Sequence, residues 1–333
     1  MTPDPDDRLS PELEQAHTAL IRYPRFKELH QEIRRCQSLS KIAGEPQCMS
    51  LEGITGAGKS TLVKDYAAAF PRRNTQDGTT IPVFYAEIPS PATVKGTAAA
   101  LLEQLGDPLA GRGTLWSMNS RLINLIRACE VELVILDEFS NLIDTETNHI
   151  LATVSDWLKM LIKQTDVPFL VIGLDGKVDR ILQANPQLSR LFAFRETLYP
   201  FIWDAHNQDS IQVFALFVQY TEKAVRIPLS TQLPRTELLY RIYYARDGVV
   251  GNVMNLMRYA ALVAQEKGRT RIDLNDLAVS FGKRIGKHLR TKTNPFECPV
   301  NETFTIPGEN SAYSSDSSPR KPPRSVTTTL TTR

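Results

Sequence analysis

The sequence predicts an α/β domain, a three-layer arrangement around a mainly parallel sheet, followed by a small all-helical domain. Three observations predict it. Short apolar runs that suit buried strands alternate with helix-length segments up to about residue 203. A glycine-rich turn, Gly53-Ile-Thr-Gly-Ala-Gly-Lys-Ser60, stands between the first such strand and a helix. Beyond Trp203 the strand-like runs stop and four helical segments follow one another.

Taken in order, Pro11 to about Ser40 suits helices with a break at Pro24, because Leu13, Leu20, Ile21, Phe26, Leu29, Ile33 and Leu39 recur at helical spacing. Cys48–Leu51 is a strand candidate and Thr61–Phe70 the helix after the turn, stopped by Pro71. Ile81–Ile88 is a second strand. Val94–Leu105 is a helix closed by Gly106, and Leu115–Cys129 is another. Val131–Leu136 and Pro168–Leu174 are continuous apolar runs, the signature of strands covered on both faces, with Ile150–Lys163 helical between them. Ile211–Lys223, Gln232–Ala245, Val249–Lys267 and Asn275–His288 form the helical part. The boundaries drawn on this reading are an N-terminal helical extension at 1–45, the α/β domain at 46–203, a helical lid at 204–290 and a flexible Ser/Thr/Pro-rich tail at 291–333.

The composition excludes several classes. With 42% hydrophobic and 23% charged residues the chain is neither collagen-like, rod-like nor wholly disordered. No apolar run approaches the roughly 20 residues needed to span a bilayer. The acidic start, MTPDPDDRLS, lacks the apolar core of a secretory leader, so a cytoplasmic protein is expected. Cys36, Cys48, Cys129 and Cys298 form no CxxC pair and are expected as free thiols, and the five histidines show no metal spacing. Net charge of +2 leaves nucleic acid open.

The turn at 53–60 has the G-x-x-x-x-G-K-[ST] pattern of a phosphate-binding P-loop (Walker A). Gly53, Gly56 and Gly58 allow a tight fold that turns backbone N–H groups, with those of Thr55 and Ala57, toward phosphate oxygens. The following helix N-terminus adds partial positive charge. Lys59 reaches the β- and γ-phosphates of ATP, and Ser60, with Thr61 behind it, offers a hydroxyl to Mg²⁺. Val134–Glu138, VILDE, has the form of a Walker B segment: its strand delivers Asp137 to the metal, and Glu138 at the tip polarises an attacking water. The acidic pair favours hydrolysis over simple nucleotide holding.

Two P-loop layouts compete. A small-molecule kinase would carry its lid inside the α/β domain. An AAA+ ATPase follows the α/β domain with a helical lid, binds nucleotide between subunits and receives an arginine from the neighbour. In Asn185-Pro-Gln-Leu-Ser-Arg190-Leu-Phe-Ala-Phe-Arg195, Arg190 is the leading candidate for that arginine and Arg195 the second.

GITGAGKST (53–61), LVILDEFSNLID (133–144), VSDWLK (154–159), PFLVIGLD (168–175), NPQLSRLF (185–192) and DGVVGNVMNLMRYAA (247–261) together resemble the transposon-encoded AAA+ ATPases called TniB or TnsC, regulators of Mu-like and CRISPR-associated transposons. The resemblance runs from about Tyr23 to Ala260. It implies ATP-dependent assembly on double-stranded DNA as a ring or filament of identical subunits. It also implies recruitment of a DDE transposase and, in CRISPR-associated systems, of a TniQ-type adaptor, with hydrolysis controlling disassembly. Basic positions on the α/β domain track the DNA backbone in this family, and the matching residues here are Lys95, Arg112 and Thr114.

Two positions depart from the AAA+ pattern. Where a polar sensor residue usually follows the fourth strand, this chain has Gly173-Leu174, with Asp175 next. Near Gly251, where a lid arginine often stands, there is Asn252, and Arg258 lies two turns on. A slow ATPase working as an assembly switch tolerates both. The alternatives are a monomeric P-loop kinase and a nucleotide-switched signalling ATPase for which DNA is irrelevant. The basic run Gly282–Lys292 reads as a solvated helix end, and Trp116, Trp157 and Trp203 as core or subunit contacts.

Overall fold

The computed structural model describes residues 20–76, 78–143, 147–284 and 293–298. Its centre is a five-stranded sheet of β1 (Met49–Glu52), β4 (Val83–Glu87), β5 (Leu133–Asp137), β6 (Phe169–Gly173) and β7 (Phe194–Thr197). The order across the sheet is β4-β5-β6-β1-β7, with every pairing parallel. A separate antiparallel hairpin, β2 (Arg73–Thr75) with β3 (Gly78–Thr80), precedes β4. The helices are α1 (Pro24–Ser40), α2 (Lys59–Ala68), α3 (Val94–Leu105), α4 (Leu115–Ala128), α5 (Asn148–Thr165), α6 (Lys177–Gln183), α7 (Pro186–Leu191), α8 (Gln208–Val225), α9 (Arg235–Arg246), α10 (Val250–Glu266) and α11 (Leu274–Arg284).

The strand pleat sorts the apolar runs into two cores. Leu133 and Ile135 of β5 and Leu170 and Ile172 of β6 face α1 and α2, against Leu29, Ile33, Leu62 and Val63. Val134, Leu136, Phe169 and Val171 face the other way, against Leu102, Leu122, Leu158 and Ile181. Each run reads as continuously apolar because both of its faces are covered. The first core continues into the C-terminal helices through Phe214, Phe217, Val253 and Met257, so the helical part and one face of the sheet share one apolar interior.

Local chemistry sets the helix ends. Thr93, Thr114 and Thr147 cap α3, α4 and α5 by accepting from Gly96, Ser117 and Ile150 N–H. The break expected at Pro24 is the start of α1: residues 20–23 are not helical, and Pro24 opens the helix in its first turn, where the missing N–H costs nothing. At the crossing into the helical part, Phe201 N–H donates to Gly248 O at 2.9 Å. Gly248 has φ +67°, and a Cβ there would stand 2.2 Å from Phe201 O.

Residues 293–298, assigned by composition to the tail, pack back on the helices. Phe296 is buried edge-on to Phe281, and the buried Arg241 donates to Cys298 O at 2.8 Å and to Pro295 O while pairing with Glu237. The rest of the tail, the N-terminal residues to 19 and most of the basic run 282–292 lie outside the described residues.

Candidate functional site

β1 ends at Glu52, and the chain turns at Gly53 with φ +154°, where a Cβ would meet Leu198 O at 2.6 Å. Only a residue without a side chain passes beneath the segment leaving β7. Thr55 lies in the turn. Gly56 and Gly58 follow at φ +81° and +101°, left-handed positions that glycine adopts without cost. Ala57 is buried, and Gly58 serves as the N-cap of α2. Lys59 is buried at 7% exposure, and its Nζ donates to Gly53 O at 2.7 Å and Ile54 O at 2.9 Å. Burial pushes its pKa down, opposed by Glu138, Asp137, Asp175 and Glu52. Ser60 and Thr61 complete the first turn of α2.

β5 lies two strands from β1, with β6 between, and brings Asp137 to the same edge. Asp137 is buried, with Oδ1 accepting from Glu138 N–H at 2.9 Å and Oδ2 from the Tyr85 hydroxyl at 3.0 Å. Tyr85 sits on β4 with Val83 and Glu87 on one face of the pleat, and Glu87 is level with Asp137 in the register. Burial, then the Asp137 charge, raises the Tyr85 pKa, so the phenol is a firm donor. Glu138 has φ +54°, an uncommon conformation for a side-chain-bearing residue, and turns the chain directly into the 3₁₀ turn Phe139–Ile143.

Sequence reasoning missed Tyr85, and it also missed Ser140. The position after β6 is apolar, but a side chain at Gly173 would meet Val178 at 2.6 Å and Ser140 Oγ at 3.1 Å. The buried Ser140 hydroxyl supplies polarity there and accepts from Leu174 N–H at 3.4 Å.

The lid reaches the P-loop directly. Gly251 N–H, in the first turn of α10, donates to Gly56 O at 2.8 Å. A cavity of about 150 Å³ opens beside the loop, lined by Tyr23 and Phe26 of the N-terminal segment, Ala57, Thr61, Met254 and Arg258 among others. Gly251, Met254, Asn255 and Arg258 are spaced i, i+3, i+4, i+7 and so share one helix face. Desolvation lowers the Arg258 pKa. Asn252 is adjacent to the loop, its Oδ1 4.0 Å from where a Gly56 Cβ would stand.

Arg190 and Arg195 differ in setting. Arg190, on α7, is 70% exposed and makes a two-pronged pair with Glu45 at 3.0 Å from each oxygen. Arg195, on β7, is tied into its own subunit: it pairs with Asp179 and donates to Ser189 Oγ at 2.6 Å and Phe192 O at 3.2 Å. Arg190 is therefore the more exposed of the two.

Lys95, Arg112 and Thr114 lie on one edge. α3 runs back from the end of β4 until Gln104 O accepts from Arg72 at 3.4 Å, and α4 ends where Cys129 O accepts from Ile81 N–H at 2.8 Å, just before β4. Both helices run against the strands. Their first turns, with Lys95 and Thr114, and Arg112 just before, stand at the strand C-terminal edge that carries the P-loop and Asp137. All three are exposed, and among the described residues neither Lys95 nor Arg112 has a carboxylate partner. The Thr114 oxygen accepts from Ser117 N–H at 3.3 Å as the helix cap.

Among the described residues no cluster of three His, Cys, Asp or Glu side chains would hold a metal alone, and no helix is long and apolar enough to cross a membrane.

Comparison with known proteins places this geometry. A family model described as bacterial TniB protein matches residues 13–198, more than half of the chain. No curated protein matches the sequence. Among solved structures, Cdc6p of Pyrobaculum aerophilum is similar with TM-score 0.57 and 16% identity, over 83% of this chain and 73% of that one. ORC2 of Aeropyrum pernix, in ADPNP–ADP complexes, has TM-score 0.53 and 16% identity, over 86% and 73%. ORC1 of Aeropyrum pernix in complex with DNA has TM-score 0.50 and 14% identity, over 78% and 65%. At these identities the likeness is one of fold, the P-loop AAA+ fold of a parallel sheet with a helical lid.

Proposed function

Because this chain belongs to the bacterial TniB family, we propose that it is a cytoplasmic ATPase that regulates DNA transposition. It assembles on double-stranded DNA as a ring or helical filament, marks the target, and recruits a DDE transposase and a TniQ-type adaptor. Hydrolysis dissolves the assembly. The observation that carries the reading is the convergence on one edge of the sheet of Lys59, the Asp137–Glu138 pair, the first turn of α10, and the exposed Lys95, Arg112 and Thr114. The ORC1 structure with DNA lends the fold a precedent for DNA contact.

In this reading the N–H groups of Gly53 to Thr61 bind the phosphates, and Lys59 exchanges the Gly53 and Ile54 carbonyls for β- and γ-phosphate oxygens. The base enters the cavity between Tyr23, Ala57 and Met254. The residues present fit Mg²⁺: Asp137 is a buried carboxylate already oriented by two donors, Ser60 adds a hydroxyl, and an all-oxygen set of this kind suits an ion that takes its remaining ligands from phosphate and water. Mg²⁺ there would neutralise charge building on the phosphates. Glu138 accepts a proton from the attacking water. Arg190 of a neighbouring subunit leaves Glu45 to meet the γ-phosphate, so the complete site forms only between subunits.

Electron microscopy of the protein with linear duplex DNA tests this. Rings or filaments with ATP or a slowly hydrolysed analogue are expected, with none with ADP, without nucleotide or in Lys59→Ala. Monomers in every condition, despite measurable ATP binding, would overturn it.

A further inference from the structure

Trp157 is buried and donates from Nε1 to Asn119 at 3.1 Å, and Trp203 packs on Phe214, Tyr240 and Tyr243. Trp116 does neither. It is 82% exposed, in the first turn of α4, two residues past Thr114 and four past Arg112. Leu109, 47% exposed, is on the turn leading into it. A lone exposed apolar residue needs no explanation, but this one stands on a braced support. Arg121 pairs with Asp107 at 2.7 Å and donates to Leu109 O at 2.9 Å and Arg112 O at 3.0 Å. Those contacts hold the whole turn 107–112 against the body of α4. They also neutralise Asp107, the turn's own carboxylate, so what remains displayed is a cation, a hydroxyl and an indole.

We propose that Trp116 is a nucleic-acid contact, an aromatic plate that packs on the sugars and base edges of the duplex whose phosphates Arg112 and Lys95 hold. The inference rests on the DNA reading above and adds a non-ionic component to it. Charge complementarity decides for nucleic acid over a second copy of this chain. Lys95 and Arg112 stand exposed on the same sheet edge, and among the described residues neither pairs with a carboxylate, so a polyanion with π-faces satisfies the cations and the indole together. Phosphate contacts alone are blind to base stacking. An indole on a fixed turn is not, because a base freed from its stack offers a face as well as an edge. Trp116 therefore makes the protein favour duplex that is locally unpaired or easily opened.

The test uses the full chain with a slowly hydrolysed ATP analogue and two fluorescein-labelled DNAs, a perfect duplex and the same duplex with a central mismatched bubble. Anisotropy titrations run from low to moderate salt for wild type, Trp116→Ala, Trp116→Phe and Arg112→Ala. Wild type should bind the bubble more tightly. Trp116→Ala should bind it about tenfold more weakly and lose the preference, Trp116→Phe should recover most of it, and neither should change the salt slope. Arg112→Ala should reduce that slope by about 0.9. Because Trp116 is so exposed, an unchanged melting curve for Trp116→Ala is the expected control. Wild-type affinity of Trp116→Ala for both DNAs would overturn the proposal while leaving the DNA reading intact. A change in the sedimentation of DNA-free Trp116→Ala would overturn it in favour of a contact between copies. No DNA binding by wild type would overturn both.

Discussion

Gly251 donates its backbone N–H to the carbonyl of Gly56 across 2.8 Å, joining the first turn of the long lid helix to the apex of the P-loop. Gly251 is glycine for a reason of space, since a Cβ there would stand 2.8 Å from that same carbonyl oxygen, and Gly56 for its left-handed φ of +81°. The bond ties a loop conformation to a lid position, and its loss reports on how the two act together. In Gly251→Ala the first turn of α10 must back away, which removes a backbone hydrogen bond worth about 1 kcal/mol and opens the cavity at Ala57. We expect a several-fold weaker affinity for a fluorescent ATP analogue, with the thermal stability of the chain changed by only a few degrees.

The Tyr85 hydroxyl orients Asp137, so Tyr85→Phe keeps the ring and loses the donor. A hydrogen bond to a charged acceptor contributes about 1.5–3 kcal/mol. The expected outcome is a raised Mg²⁺ concentration for half-maximal nucleotide binding, several-fold or more, with nucleotide affinity restored at saturating metal. Equal Mg²⁺ dependence in the two proteins would show that Asp137 needs no such guide.

Arg241 is enclosed, paired with Glu237 and bonded to the carbonyls of Pro295 and Cys298. Arg241→Ala leaves Glu237 and two carbonyls without their donor. A loss of about 3 kcal/mol in unfolding free energy is expected, visible as a lowered melting temperature, with limited proteolysis cutting first near residues 293–298.

Burial pushes the thiols of Cys36 and Cys48 up to about 12. At pH 8 only on the order of one in 10⁴ of either would be thiolate. Alkylation of the native protein at that pH should label the part-exposed Cys298 and spare Cys36 and Cys48 until the chain unfolds. The sign for stability follows from the raised values: the folded chain keeps protons that the unfolded chain releases near pH 9. The contribution of these thiols is full below that pH and is lost as pH climbs toward 12.

Strands covered on both faces announce themselves as apolar runs, which is why β5 and β6 were legible to within two residues. β7 was not, because FRET is an edge strand with one side open, and its polar residues carry no strand signal. The β2–β3 hairpin was hidden for the same reason: it is exposed and pairs only with itself. The P-loop and the Asp137–Glu138 pair were legible because their chemistry demands fixed spacing. Tyr85 was not, since it acts across a strand register that no local pattern encodes. Arg258 was within reach, as its seven-residue spacing from Gly251 already puts the two on one helix face. What counted against it was the distance along the chain.

The clamp at Phe201 and Gly248 has a mechanical consequence. The chain leaves the sheet through Phe201 and returns to it, three residues after Gly248, at the P-loop itself. There is no slack linker between the two grips. In the assembly proposed above, a tug on the helical part from a neighbouring subunit would meet the carbonyl of Gly56 only three residues past Gly248, and the loop would become the gauge on which that load is read.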